Sequence, residues 1–210
     1  MARGKLILIE GLDRTGKSTQ SEKILSALGD EAVLLKFPDR TTRIGELINQ
    51  YLTDSNFELP AQSIHLLFSA NRWELNSEIH SLLEAGKHVI LDRYVYSGVA
   101  YSAAKEIPGM DISWCFNPDK GLLKPDLTLF FSNQDSSSLQ DREGFGEERY
   151  EKIEFQKRVR HTFSNVFDHI SDPNRAIVDV SDRSIEEVFR YIEPLFRTVI
   201  NKDLEGFTYF

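Results

Sequence analysis

The sequence predicts an α/β fold built on a five-stranded parallel sheet flanked by helices. Short apolar runs alternate along the chain with segments of helical periodicity, which is typical of strands and helices in separate layers. The runs are apolar throughout, as expected for parallel strands that helices cover on both faces. The predicted strands are Lys5–Glu10, Ala32–Phe37, His88–Asp92, Leu127–Ser132 and Ala176–Val180.

The helices are predicted from apolar residues spaced three or four positions apart. Pro60 stands where the first residue of a long helix would lie, and Ala85-Gly86 ends that helix. Residues 106–122 and the tail 201–210 carry no pattern that we can interpret. The predicted helices are Ser18–Leu28, Ile44–Leu52, the long helix from Pro60, Glu151–Ile170 and Ser184–Val199.

The length and composition of the chain exclude several classes of protein. The 210 residues fit one domain spanning residues 1–210. The net charge of -8 gives no broad positive surface, so neither a nucleic acid nor an anionic membrane is an expected partner. No apolar run approaches the roughly 20 residues of a membrane-spanning helix. The single cysteine, Cys115, is expected in the core of a protein from a reducing compartment, which favours the cytoplasm.

One stretch, residues 133–146, lacks regular periodicity and contains a run of serines and two glycines. A loop of this length in a compact domain is usually either a mobile cover over an active site or a disordered insert. We expect the cover, a lid at approximately residues 133–149.

Residues 11–18 read GLDRTGKS and match the phosphate-binding loop pattern. The match follows a predicted strand and precedes a predicted helix, which is the context that this loop requires. Gly11 and Gly16 allow backbone N–H groups to turn toward phosphates at the positive end of the helix dipole. Lys17 would then reach the β- and γ-phosphates, and Ser18 would ligate Mg²⁺.

Further charged residues follow the predicted strands. Asp92 ends an apolar strand, as does the acidic residue that helps to hold magnesium in phosphate-loop enzymes. Arg14, Arg40 and Arg93 lie in the loops at the same expected edge of the sheet, where ligands of open α/β sheets bind. Because guanidinium groups bind phosphate oxygens through two hydrogen bonds, three such residues predict a second phosphorylated ligand.

Six motifs together resemble the thymidylate kinase family of the eukaryotic type, which has an arginine in the phosphate loop. The resemblance spans about residues 5–199 and implies the P-loop nucleoside monophosphate kinase fold with a lid. It implies Mg²⁺-dependent transfer of the γ-phosphoryl of ATP to thymidine monophosphate (dTMP), within dTTP synthesis. It also implies a homodimer and a cytoplasmic, or also nuclear, location. The motifs are GLDRTGKST, KFPDR, LLFSANRWE, DRYVYSGVAYSAAK, KPDL and GFGEERYE.

The same resemblance assigns the acceptor residues. Phe68 would stack on thymine, Arg72 would donate to a thymine carbonyl, and Phe37 would complete the base pocket. Arg40 and Arg93 would hold the acceptor phosphate. The remaining acceptor residues are Asp13 at the sugar 3′-hydroxyl, Tyr101 in the space of a ribose 2′-hydroxyl, Ser97 and Gly98 on the same wall, and Gln156 nearby.

The donor and catalytic residues complete the predicted site. Arg142 would lie against adenine from the lid, with Arg183 nearby. The catalytic arginine could stand in the phosphate loop as Arg14 or around the lid as Arg142 or Arg149, and we assign it to Arg14 because the loop anchors it beside the phosphates. The ATP site thus comprises Gly11, Thr15, Gly16, Lys17, Ser18, Thr19, Arg142 and Arg183; the catalytic residues are Lys17, Arg14, Arg93 and Asp92; the metal ligands are Ser18 and Asp92.

Two other functions share parts of this pattern. A deoxynucleoside kinase has the same loop but phosphorylates a neutral hydroxyl, and it needs no second phosphate clamp such as Arg40 with Arg93. A nucleotide-switched binding protein of the GTPase kind would need a guanine-reading Asn-Lys-x-Asp element. Asn201-Lys202-Asp203 is followed by Leu204 and does not supply it.

Overall fold

The computed structural model describes residues 2–133, 149–150 and 152–210. Most of the predicted lid, including Arg142, lies outside the described residues. All neighbouring strands of the sheet are parallel, in the order β2-β3-β1-β4-β5. The strands are β1 (Leu6–Gly11), β2 (Ala32–Lys36), β3 (His88–Asp92), β4 (Leu127–Ser132) and β5 (Arg175–Asp179).

Helices cover the sheet on both faces, and the described chain contains seven of them. Each predicted helix is present, and no boundary differs from its predicted position by more than two residues. Pro60 and Ser184, for example, are N-caps and not first helical residues. The helices are α1 (Lys17–Leu28), α2 (Arg43–Thr53), α3 (Ala61–Glu84), α4 (Val95–Ala103), α5 (Ile112–Phe116), α6 (Ile153–Ile170) and α7 (Ile185–Ile200).

The central strand β1 shows why the apolar runs predicted this architecture. Leu6 and Leu8 point into one core cluster, with residues of α3, α4 and α6. Ile7 and Ile9 point into the other, with residues of α1 and α7. Successive side chains of a strand point to opposite faces, so a strand covered on both faces must be apolar at every position. The prediction of a parallel sheet flanked by helices is confirmed.

Two helices and the tail were not predicted. No helix was predicted at the segments that form α4 and α5. The tail pairs with residues 121–124, through a hydrogen bond from the Lys124 N–H to the Thr208 carbonyl at 2.8 Å and one from the Phe210 N–H to the Leu122 carbonyl at 3.0 Å. Phe210 packs against Tyr94, Tyr96 and Phe116. Residues 106–122 and the tail therefore form one unit on the core.

In the part of the chain that the structure describes, no helix has both the length and the apolar character that a bilayer crossing requires.

Candidate active site

The phosphate loop joins β1 to α1 in the conformation that its glycines permit. Gly11 has a φ of 143°, and a Cβ there would lie 2.5 Å from the Phe131 carbonyl oxygen on β4. Gly16 has a φ of 85° and stands at the N-cap of α1. Both positions favour glycine, as the sequence pattern required. Arg14 also has a positive φ, of 65°, which residues other than glycine seldom adopt. The backbone of this loop is therefore tightly turned.

Lys17 is a buried cation at the end of this loop. Its Nζ donates a hydrogen bond to the Leu12 carbonyl, and the side chain is 6% exposed. Burial, reinforced by the nearby charge of Arg93, lowers the pKa of Lys17 to about 8. Asp13 and Asp92 oppose this effect without cancelling it. A phosphate group at this position would supply the missing negative charge.

Ser18 and Asp92 meet at the end of the sheet. The Ser18 hydroxyl donates to Asp92 Oδ2 at 2.6 Å. The meeting follows from the strand register, because Asp92 on β3 pairs with Ile9 on β1, immediately before the phosphate loop. The sequence predicted that Ser18 and Asp92 ligate the same magnesium ion, and this contact is consistent with that prediction.

Asp13 is the centre of a second cluster that lines the cavity. Its carboxylate accepts hydrogen bonds from Arg93, from the Tyr101 hydroxyl at 2.9 Å and from Gln156 Nε2 at 2.7 Å. Burial alone would raise the pKa of Asp13, but the charges of Arg93 and Lys17 and the hydrogen bonds from Tyr101 and Gln156 together outweigh burial and hold this pKa below its ordinary value. Asp13 is therefore an ionised acceptor at neutral pH.

Arg93 has an uncommon backbone conformation, and hydrogen bonds to its neighbours fix its side chain. Its φ is 68°, and Nη1 donates to the Gly11 carbonyl at 3.2 Å and to Ser97 Oγ at 3.1 Å. The guanidinium carbon lies 5.4 Å from the centre of the Tyr101 ring. These contacts place a cation between the phosphate loop and α4.

One cavity of about 680 Å³ brings most of the predicted site residues together. Phe68 packs with the small apolar cluster between α2 and α3 and also lines the cavity, so it serves both the core and the pocket. Arg40 lines the cavity while its Nη1 donates to Asn49 Oδ1 at 2.8 Å. The predicted residues that line it are Asp13, Arg14, Gly16, Lys17, Ser18, Thr19, Phe37, Arg40, Phe68, Arg72, Asp92, Arg93, Ser97, Gly98 and Tyr101.

The other predicted residues lie elsewhere. Gly11 and Thr15 support the phosphate loop from behind, and the Thr15 hydroxyl donates to the Leu12 carbonyl at 2.9 Å. Gln156 reaches the site through Asp13. Arg183 lies before α7 with its guanidinium carbon 5.2 Å from the centre of the Tyr191 ring, and it does not line the described part of the cavity.

A buried carboxylate that holds the start of α4 was not predicted from the sequence. Glu10, at the end of β1, is fully buried. Its Oε1 accepts from the backbone N–H groups of Tyr94 at 2.9 Å and of Ser97 at 3.0 Å, and Oε2 accepts from the Ser97 hydroxyl. Glu10 therefore fixes the start of α4, directly after Arg93. Only its position inside an otherwise apolar strand could have indicated this role.

Asn71 on α3 holds the loop after β2 in a similar way, and it was not predicted from the sequence either. Its side-chain oxygen accepts from the Asp39 N–H at 2.8 Å, and its amide donates to the Asp39 carbonyl at 3.1 Å and to the Thr42 hydroxyl at 3.0 Å. The loop that carries Phe37 and Arg40 is thus attached to α3.

Arg149, beside the predicted lid, is attached to α2. Its Nε donates to the Tyr51 carbonyl at 2.9 Å, and Nη2 donates to the Phe57 carbonyl at 2.9 Å and the Asp54 carbonyl at 3.2 Å. Arg149 thus satisfies carbonyl groups at the C-terminal end of a helix, where cations are favoured.

Comparison with known proteins decides among the functions that such a site could serve. The family model for thymidylate kinase matches residues 9–192. The chain belongs to the thymidylate kinase family. A thymidylate kinase from Arabidopsis thaliana is 44% identical over 207 residues, covering 97% of this chain and 75% of that protein. The human thymidylate kinase is 44% identical over 209 residues, covering 96% of each chain.

Solved structures of thymidylate kinases agree in fold. That from Candida albicans has a TM-score of 0.92 and 45% identity, and the match covers 100% of this chain and 99% of that one. That from Ehrlichia chaffeensis, at 24% identity and a TM-score of 0.68, supports the fold alone. The P-loop nucleoside monophosphate kinase fold predicted from the motifs is confirmed, and the reaction is the ATP-dependent phosphorylation of dTMP.

Proposed function

We propose that the transfer of the γ-phosphoryl group from ATP to dTMP takes place in the cavity at the carboxyl edge of the sheet. The observation that carries this proposal is that two sets of phosphate-binding groups line one cavity. The phosphate loop carries Lys17, and the arginines Arg40 and Arg93, which follow β2 and β3, line the same cavity. A site for one nucleotide alone would not need both.

The acceptor requires no general base. A phosphate monoester has a second pKa of about 6, so dTMP already presents an ionised oxygen at neutral pH. The obstacle is the repulsion between two polyanions, and catalysis therefore consists of positioning and charge neutralisation. In our proposal Lys17, Arg14 and Arg93 surround the transferred group. Arg14 has the catalytic role because the backbone of Arg14 is fixed within the loop, whereas the guanidinium of Arg149 binds the carbonyl groups near the end of α2.

The residues present are suited to Mg²⁺. Ser18 and Asp92 offer a hydroxyl and a carboxylate oxygen that already contact each other, and hard oxygen ligands are those that magnesium prefers. The described residues contain no cage of three or more acidic, histidine or cysteine side chains. This fits an ion that is held by few protein groups together with substrate phosphates. When bound, magnesium would neutralise charge on the phosphates of ATP.

The acceptor nucleoside would lie between α3 and α4. Phe68 would stack on the base with Phe37 nearby, and Arg72 would donate to a thymine carbonyl. Asp13, ionised and held by three donors, would accept a hydrogen bond from the sugar 3′-hydroxyl. The ring of Tyr101 would fill the space that a ribose 2′-hydroxyl needs.

The donor side carries the remaining proposals. Thr15, Thr19 and the loop glycines would bind the phosphates of ATP, with Arg142 and Arg183 near adenine. A lid at about residues 133–149 would exclude water, which would otherwise compete with dTMP for the phosphoryl group. We also propose that residues 1–210 form a single kinase domain that acts as a homodimer in the cytoplasm.

The proposal is tested by measuring ADP release with a panel of acceptors. dTMP should be phosphorylated far faster than thymidine or the ribonucleotide form of dTMP, and ADP release without an acceptor should be slow. Lys17→Met should abolish transfer while the circular dichroism spectrum stays unchanged. Activity on thymidine and none on dTMP would instead favour the deoxynucleoside kinase. Tight GTP binding without transfer would favour a nucleotide-switched binding protein.

A further inference from the structure

Arg72 forms a buried ion pair that the sequence motifs did not reveal. Its Nη2 donates to Asp119 Oδ2 at 2.7 Å, and its Nε donates to Asp119 Oδ1 at 3.1 Å. Asp119 is fully buried and Arg72 is 3% exposed. Two parallel hydrogen bonds fix the plane of a guanidinium group as well as its position.

The pair with Asp119 uses Nε and Nη2, which leaves Nη1 of the guanidinium for another acceptor. A Cβ added at Gly98 would lie 2.6 Å from Arg72 Nη1, 2.7 Å from Nη2 and 2.8 Å from the guanidinium carbon, so the absence of a side chain at Gly98 leaves room for the whole group. Both Arg72 and Gly98 line the cavity. One edge of the guanidinium is thus occupied by Asp119, and Nη1 is the nitrogen outside this pair, in a side chain that lines the cavity where the acceptor base is expected.

Asp119 is itself held rigidly. The Ser69 hydroxyl, one helical turn before Arg72 on α3, donates to Asp119 Oδ1 at 2.7 Å. Trp73 Nε1 donates to the Pro118 carbonyl at 2.8 Å, which attaches the Asp119 turn to the same helix. The Leu122 N–H donates to the Asp119 carbonyl at 3.1 Å, and residues 121–124 are paired with the tail. The unit formed by residues 106–122 and the tail thus delivers one carboxylate to α3.

We propose that Asp119 is a positioning residue for recognition of the acceptor base, acting through Arg72. This inference rests on the proposed role of Arg72 as a donor to a thymine carbonyl. A long arginine side chain has many rotamers, and fixing one of them in advance lowers the entropic cost of binding the base. Asp119 holds the guanidinium in the plane from which Nη1 can donate, and Ser69 keeps the carboxylate from rotating.

The test separates the base from the phosphate of the acceptor. Asp119→Asn keeps the size of the side chain but removes its charge and one of its two acceptor oxygens. We expect the KM for dTMP to rise about tenfold with kcat nearly unchanged, since an interaction made equally with bound substrate and transition state is lost. Inhibition by 2-deoxyribose 5-phosphate, which has no base, should stay as in the parent protein.

Additional variants protect this test against loss of folding. Ser69→Ala, which leaves the ion pair in place, should raise the KM for dTMP by a few-fold. Ser81→Ala, on the exposed face of the same helix, is the matched control and should have no effect. In the background of Arg72→Met, Asp119→Asn should not raise the KM for dTMP further, because a residue that acts through Arg72 has nothing left to position.

Each contrary result has a distinct meaning. If Arg72→Met leaves the KM for dTMP unchanged, the proposed role of Arg72 fails, and this inference fails with it. If Arg72→Met raises that KM while Asp119→Asn and Ser69→Ala do not, only the inference about Asp119 is wrong. Equal weakening of dTMP and 2-deoxyribose 5-phosphate by Asp119→Asn would show a general structural role and would also overturn it.

Discussion

At the scale of single residues, Lys17 is a charged side chain that the fold buries before its proposed partner, a phosphate of ATP, is bound. Burial lowers its pKa to about 8, although unfolded lysine has a value of 10.5. Between these two values the folded protein binds fewer protons than the unfolded chain, so the unfavourable contribution of Lys17 to stability decreases as the pH rises through this range. ATP phosphates should reverse the shift, because opposite charge favours the ammonium form.

This reversal predicts that ATP binding takes up a proton at alkaline pH. Above about pH 8 the free protein has a neutral Lys17, and binding must protonate it, so ATP affinity should fall by up to about tenfold per pH unit until about pH 10. Calorimetry at pH 8.5 in two buffers of different ionisation enthalpy would measure the uptake. Lys17→Arg should abolish it, because arginine stays protonated.

Lys105 provides the control for this experiment. Burial lowers its pKa to about 8 as well, but its Nζ lies over the rings of Tyr51 and Tyr150, at 5.6 and 5.1 Å from their centres. Lys105→Gln should therefore keep the proton uptake on ATP binding. Uptake that disappears in Lys105→Gln and persists in Lys17→Arg would contradict the role of Lys17.

Most of the residues that line the cavity could be predicted from the sequence, whereas the buried carboxylates that hold them could not. The phosphate loop is recognisable because its residues lie within eight consecutive positions. Glu10 acts on Ser97 across 87 positions of sequence, and Asp119 acts on Arg72 across 47. Neither carboxylate has a local spacing that marks it, so their roles appear only when the fold brings the segments together.

At the scale of elements, α4 shows why a helix can escape detection. Its segment, VYSGVAYSA, contains glycine and β-branched residues of low helix propensity, and its N-cap Tyr94 makes no side-chain cap. The cap comes from β1, where Glu10 accepts two backbone N–H groups of the first turn. A carboxylate at the N-terminal end of a helix also interacts favourably with the helix dipole. The strands, by contrast, have a local apolar signal and were predicted to within one residue.

The external cap predicts a large cost for its removal. Glu10→Ala leaves two buried N–H groups and the Ser97 hydroxyl without their partner, and we expect a loss of about 3 kcal/mol in the free energy of unfolding. Urea denaturation measures this loss, and amide hydrogen exchange should accelerate first at Tyr94 and Ser97. Glu46→Ala, at an exposed carboxylate in the first turn of α2, should cost no more than about 0.5 kcal/mol. Equal costs for the two variants would contradict the capping role.

At the scale of the whole molecule, α3 carries both residues that line the cavity, Phe68 and Arg72, and large apolar residues that are exposed. Leu66 and Trp73 are 47% and 39% exposed, and they lie seven positions apart, so they share a helix face. Leu47 on the neighbouring α2 is 43% exposed. Large apolar residues that are exposed on helices packed against each other are typical of a surface that another chain covers. Their exposure supports the proposed homodimer.

Leu66→Glu should therefore convert a dimer into a monomer. A charge placed in an apolar interface loses its hydration without gaining a partner, which disfavours association. Sedimentation equilibrium measures the change. Ile177→Glu is the matched control, because Ile177 is 57% exposed on the edge strand β5, which is separated from β3 beneath α3 by two other strands. A parent protein that sediments as a monomer, or a Leu66→Glu variant that still dimerises, would contradict this interface.

The central position of β1 has a consequence for synthesis on the ribosome. β1 is made first, yet it pairs with β3 and β4 and not with β2. At about 5–20 residues per second, the about 80 residues that separate β1 from its first partner take about 4–16 seconds to be translated. During this time the apolar run of β1 has no sheet to enter, and it is available to chaperones that bind nascent chains. The strand that leads into the phosphate loop is thus synthesised first, but it can pair within the sheet only after β3 has been made.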